Sequence, residues 1–238
     1  MISLASHRLL ASLLVGLCFS GTLIQAQTPQ KPNLAIWNNG CANSTPKFET
    51  AQKEHRILFS NQAITIFTGV PKSKDGMTGI TLYSKSEKSS SWKCFDAKYF
   101  VEAPLFYSAV ANNFGSVVYV SLSAKKLFKS KDQTVFTIFR LNPETGLVHR
   151  VLDGAKAKLG GITRLSLSPN GRQLAFFAQE NGGFGITPFL LTLGDFANPS
   201  QTKPSGSGLR IDRFPFDFNV VGGLPCFSAG GKPMTCKP

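Results

Sequence analysis

The chain has 238 residues, enough for one domain or at most two, and carries a formal net charge of +13 from 26 basic and 13 acidic side chains. With 22 Gly, 14 Pro and 20 Phe but only 2 Trp, its composition suits many short strands joined by turns. Helical periodicity is hard to find beyond the first residues, which argues against a helical domain.

Met1 to Arg8 forms a short basic n-region, and Leu9 to Phe19 is an apolar core too short to span a bilayer. Ser20 to Ala26 then turns small and polar. Residues 1–26 therefore read as a secretory signal peptide cut near Ala26, leaving a periplasmic or secreted chain with no transmembrane segment. Cys18 does not make a lipoprotein signal, because Leu17 stands where a small residue should precede a modified cysteine. Residues 27–53 are a lead-in holding one short strand, Leu34 to Asn38.

Residues 54–238 repeat a pattern of paired strands, with unit starts near 56, 104, 164 and 213. The first unit opens with Arg56 to Ser60 and Ala63 to Phe67. It continues with Gly79 to Tyr83 and Ser91 to Phe95. The second opens with Leu105 to Ser108 and Ser116 to Val120. Val135 to Leu141, the turn Asn142-Pro143-Glu144-Thr145-Gly146 and Leu147 to Leu152 complete it. The third is the clearest: in RLSLSPNGRQLAFF, Leu165 and Leu167, then Leu174 and Phe176, alternate with polar or small neighbours. Ser168-Pro169-Asn170-Gly171 between them supplies hairpin chemistry. The third continues through Pro188 to Leu193, with no clear last strand. A fourth, from Arg213 to Phe216, runs out of sequence after one hairpin around Gly230-Gly231.

The spacing is somewhat longer than the ~40–50 residues of a four-stranded propeller blade. Stacking four-stranded sheets around an axis would bury both faces of each. The expected fold is thus all-β, a small or partial β-propeller of about four blades of antiparallel four-stranded sheets. Leu34 to Asn38 is expected to complete the short fourth unit. SLSPNGRQLAFFAQ resembles the "SPDG-(K/R)-x-(I/L)-A-(F/Y)" core of TolB-type repeats, related to the tryptophan-aspartate propellers. LNPETGLVHRVLDG looks like the ending of such a blade. Asn142 and Asn170 depart from it, standing where Asp is usual. The resemblance covers residues 104–194 and implies a protein-interaction or scaffold role outside the cytoplasm.

No catalytic constellation stands out. Beyond the leader the histidines are His55 and His149, and there is no Cys-x-x-Cys, His-x-His or Gly-x-Ser-x-Gly. No metal or cofactor is implied. Lys125, Lys126, Lys129 and Lys131 crowd one connection, with Lys156 and Lys158 in the next and Lys72, Lys74, Lys85 and Lys88 in the first unit. If these emerge together they would attract polyanions such as lipopolysaccharide or acidic glycans; otherwise they are solubilising loop charges. Of the four cysteines beyond the leader, Cys226 and Cys236 are placed to staple the terminal hairpin, which leaves Cys41 for Cys94. The expected role is a non-catalytic binding module of the cell envelope with an envelope or extracellular protein as partner. The alternatives are a secreted glycan-active enzyme on the same scaffold and a cationic polyanion-binding surface protein.

Overall fold

A computed structural model describes residues 56–68, 80–85, 90–95, 105–125, 134–180, 185–215 and 223–237. The leader, the lead-in with Leu34 to Asn38, and Cys41 lie outside the described residues. Three antiparallel sheets of four strands follow one another along the chain, each a simple meander. The first holds β1 (Ile57–Ser60), β2 (Ile64–Thr68), β3 (Ile80–Lys85) and β4 (Ser90–Phe95). The second holds β5 (Leu105–Ala111), β6 (Val118–Lys125), β7 (Thr134–Leu141) and β8 (Val148–Asp153). One helical turn, α1 (Gly154–Ala157), leads into β9 (Leu159–Leu167), β10 (Gln173–Glu180), β11 (Thr187–Leu193) and β12 (Leu209–Arg213). A hairpin of β13 (Leu224–Phe227) and β14 (Pro233–Cys236) ends the described chain.

The opening strand of each unit lies against the opening strand of the next: β1 by β5, β5 by β9, β9 by β13. Sheets joined in this way fan out from a common line, as blades do. The alternating pattern then serves two interfaces at once. Ile64, Ile66 and Leu82 pack with Val118, Val120, Leu122, Phe139 and Leu141 between the first and second sheets. The intervening residues Tyr119 and Ile138 face the other way, joining Leu174, Phe176, Leu191 and Phe196 between the second and third. Ala175, Leu190, Phe214 and Phe227 form a smaller core between the third sheet and the hairpin. Burial on both faces explains why apolar residues such as Tyr119 and Ile138 also stand at the alternate positions.

Two boundaries differ from the sequence reading. The third sheet starts at Leu159, not near 164, because β9 runs through a bulge in which Arg164 adopts φ +55°. Arg213, expected to open the fourth unit, instead ends β12, the outer strand of the third sheet, paired with Phe189. Among the described residues, the fourth unit therefore begins at β13. Alternation alone does not say to which neighbour a strand pairs.

The hairpin turns share one end of the sheets. Asn61 Nδ2, at the β1–β2 turn, donates to Asn112 O at the β5–β6 turn (3.2 Å). Gly115 of that second turn packs against Ala63 and Ile64 of the first. Gly231, in the β13–β14 turn, faces Asn170 in the β9–β10 turn. A side-chain oxygen ties each turn together. Asn61 accepts from Ala63 N and Ile64 N, Asn112 from Val117 N, and Asn142 from Glu144 N and Thr145 N; Ser168 accepts from Gln173 N and Ser228 from Lys232 N. Because every pairing is antiparallel, the connections β2–β3, β4–β5, β6–β7, β8–β9, β10–β11 and β12–β13 leave from the opposite end.

Candidate functional site

Two regions carry chemistry. One is the end of the sheets from which the inter-pair connections run; the other is a buried polar row between the second and third sheets.

At the connection end, β6 finishes at Lys125, whose backbone pairs with Thr134 of β7. Lys126, Lys129, Lys131, Lys72 and Lys74 lie outside the described residues, in connections that start and finish at this end. Lys156 and Lys158 flank the β8–β9 connection and are exposed. Asp153 caps α1, accepting from Lys156 N at 3.3 Å, and lies 3.3 Å from Arg150. Glu180 and Arg213 pair at 2.9 Å near the same end. Lys85 does not belong with this group. It closes β3 at the turn end, where its Nζ donates to Ser60 Oγ and Asn61 O. The topology thus separates Lys85, and the β3–β4 connection that bears Lys88, from the remaining sequence-predicted lysines, and brings the connections bearing Lys72 to Lys74, Lys125 to Lys131 and Lys156 to Lys158 to one end.

The buried row went unnoticed in the sequence. Tyr119 on β6, Arg140 on β7 and His149 on β8 are cross-strand neighbours, and Arg140 is fully buried. All three lie beneath the long β11–β12 connection, residues 194–208, which crosses from the third sheet onto the second. Arg140 holds this strap by donating to Asn198 O (2.8 Å), Gln201 O (3.2 Å) and Pro199 O (3.5 Å). Tyr119 Oη donates to Phe196 O at 2.9 Å, and the Phe196 ring enters the core. Asn142 Nδ2 donates to Pro199 O at 3.2 Å. Here lies a reason for Asn where the resemblance leads one to expect Asp: a carboxylate can accept the turn N–H groups but cannot donate across to the strap. Within the strap, the Asp195 carboxylate accepts from Ser205 N, Ser205 Oγ and Gly206 N.

The environment shapes the ionisation of the row. Burial pushes the Tyr119 phenol well above its usual range. Burial also lowers Arg140, an effect opposed by Tyr119 and, more weakly, Asp195. His149 is held below the ordinary histidine value by burial first and then by the positive charge of Arg140. The Thr202 backbone favours the charged ring, yet among the described residues neither ring nitrogen completes a hydrogen bond. The sequence signal for this row was weak: a polar Tyr, Arg and His at inward positions of otherwise apolar strands, visible only once the register is known.

No family model matches the chain, and no curated protein matches it significantly. Among solved structures, the chain is similar to a protein described as TolB from Agrobacterium tumefaciens, with 16% identity and a TM-score of 0.37. That likeness covers 65% of this chain and 56% of the other, so the chain spans little more than half of the TolB structure's length. It is also similar to a gluconolactonase from Xanthomonas campestris, at 14% identity and a TM-score of 0.33, over 87% of this chain and 79% of that one. At these values neither likeness adds to what the strand pairings establish. The all-β, blade-like architecture rests on the three meander sheets and their aligned opening strands.

The structure joins Cys226 to Cys236, with Cα atoms 5.9 Å apart, across the β13–β14 hairpin. Cys94 lies in β4, opposite Thr81, while its expected partner Cys41 is outside the described residues. Among the described residues no three His, Cys, Asp or Glu side chains come together as a metal site would need. Also among them, no helix is long and apolar enough to cross a membrane.

Proposed function

We propose that the chain is an exported, non-catalytic binding module of the cell envelope that recognises a partner protein through the connection end of its sheets. The observation that carries this reading is topological. Antiparallel pairing around aligned opening strands sends six inter-pair connections to one end. Rigid sheets that present several independent connections together are a common way to build a recognition surface. The leader-like first 26 residues support export, as does the Cys226–Cys236 bridge, which favours an oxidising compartment.

A second reading, recognition of a polyanionic glycan or lipopolysaccharide, is favoured by the exposed Lys156 and Lys158 and by the number of lysines in the connections whose flanking strands end here. Capture from the native envelope fraction separates the two. A defined protein retained through a wash at ~0.5 M salt supports the first, since purely phosphate- or sulfate-directed binding weakens steeply with salt. Glycan alone, released as salt rises and lost when Lys126, Lys129, Lys131, Lys156 and Lys158 are changed to Glu, supports the second. Capture that changes at the turn end refutes both. So does hydrolysis of an envelope glycan by the purified chain, which would mark the scaffold as an enzyme.

A further inference from the structure

We infer that the strap over the second sheet, residues 194–208, is an acid-sensitive latch: protonation of His149 beneath it releases its hold on Arg140 and uncovers the polar row. Polar contacts and a short apolar anchor fasten the strap. Arg140 supplies three of the polar contacts, Tyr119 and Asn142 one each, and Phe196 with Ala197 packs into the core. His149 sits in the same row, 3% exposed; among the described residues neither ring nitrogen has a hydrogen bond of full geometry, and the Thr202 backbone is its nearest polar neighbour on the strap. A buried polar ring left without full hydrogen bonds is costly and marks a position poised to change state.

The charged or titratable groups on the elements around the ring are few. Arg140 stands opposite on β7 and Tyr119 beyond it on β6. The strap brings Asp195, engaged with Ser205 and Gly206, and the exposed Lys203. On His149's own strand Arg150 lies against Asp153. No free carboxylate is on hand among these groups to receive an imidazolium. A proton on His149 therefore places a second cation beside a buried guanidinium, and lifting the strap lets water solvate both.

The sign follows from linkage. With the strap closed the ring is held below its ordinary value, and with the strap open it regains that value. The open form binds more protons as pH falls through the ordinary histidine range near ~6.5, so the latch is fully fastened above that range and weakens below it. A mildly acidic setting would then expose Arg140, His149 and Asn142 together.

Amide hydrogen exchange on the full chain tests this. After correction for intrinsic exchange, protection at residues 196–206 should fall by about tenfold between about pH 7.5 and about pH 5. The β9–β10 turn, residues 168–173, should hold steady. In His149→Gln, which stays neutral, the strap should show no such pH dependence. Equal pH dependence in the variant, or none in the native chain, overturns the inference. Should the variant fail to fold, titration of the native imidazole resonances decides instead. His149 remaining neutral until the strap amides move supports the latch, whereas His149 titrating at the ordinary value with the amides unmoved refutes it.

Discussion

Truncating Arg140 to Ala is the sharpest probe of how the second and third sheets are joined. The guanidinium is fully buried, and its three acceptors are the carbonyls of Asn198, Pro199 and Gln201. Two of those bonds, at 2.8 and 3.2 Å, have ordinary lengths; the third, at 3.5 Å, is marginal. Hydrogen bonds from a charged donor contribute ~1.5–3 kcal/mol each, and truncation leaves the carbonyls without a partner. Against this stands relief from burying a cation, which offsets part of the loss. The expected net cost is about 3 kcal/mol, or roughly 6–12 °C in melting temperature for a chain of this size. Arg140→Met separates the contributions, because it fills the volume without desolvating a charge and should cost markedly less than Ala. Calorimetry with urea titration measures both. An Ala variant within ~0.5 kcal/mol of the parent would refute the strut, since that is the range of an ordinary surface change. A full loss with strap protection untouched would refute it equally.

Further changes test neighbouring parts of the same design. Tyr119→Phe removes one buried hydrogen bond and should cost ~1–1.5 kcal/mol in urea unfolding; a double-mutant cycle with Arg140→Met should show coupling, because both hold one strap. Asn142→Asp keeps the turn contacts but loses the donor to Pro199 O and sets two acceptors face to face, so Asp should be at least as destabilising as Ala. An Asp variant more stable than the parent would contradict the assignment of that amide. Gly194→Ala should reduce folded yield sharply: Gly194 adopts φ +55°, and an added Cβ would collide with the Ser207 carbonyl oxygen. Replacing Cys226 and Cys236 by Ala should cost ~2–3 kcal/mol, from closure of a loop with a sequence separation of 10. The loss should vanish when the parent is measured under reducing conditions.

Much of the architecture was legible in local pattern. Alternation at Leu165, Leu167, Leu174 and Phe176 marks strands because side chains on a strand point to opposite faces with period two. Ser168-Pro169-Asn170-Gly171 marks the turn because Gly171 supplies the left-handed position, at φ +71°. The Cys226–Cys236 staple was visible because both residues flank one short hairpin. These signals are contained within a dozen residues, so no knowledge of the rest of the chain is needed to read them.

What only the tertiary structure decided is which elements are neighbours. That Arg213 ends the last strand of the third sheet rather than opening a fourth unit depends on the pairing of Leu209–Arg213 with β11, across a connection whose length follows no local rule. Asn142 looked like a mere variation on a turn residue until the strap placed Pro199 O against its amide. His149 alternates with apolar neighbours in LVHRVL as an outward-facing residue would, and nothing in the sequence singles out Arg140, because a charged residue on a strand ordinarily faces water. Both are buried because a later segment folds over them and brings its own carbonyls, those of Asn198, Pro199 and Gln201 to Arg140. Periodicity reports which side of a strand is apolar, whereas burial of a polar group depends on partners that the strand itself does not carry.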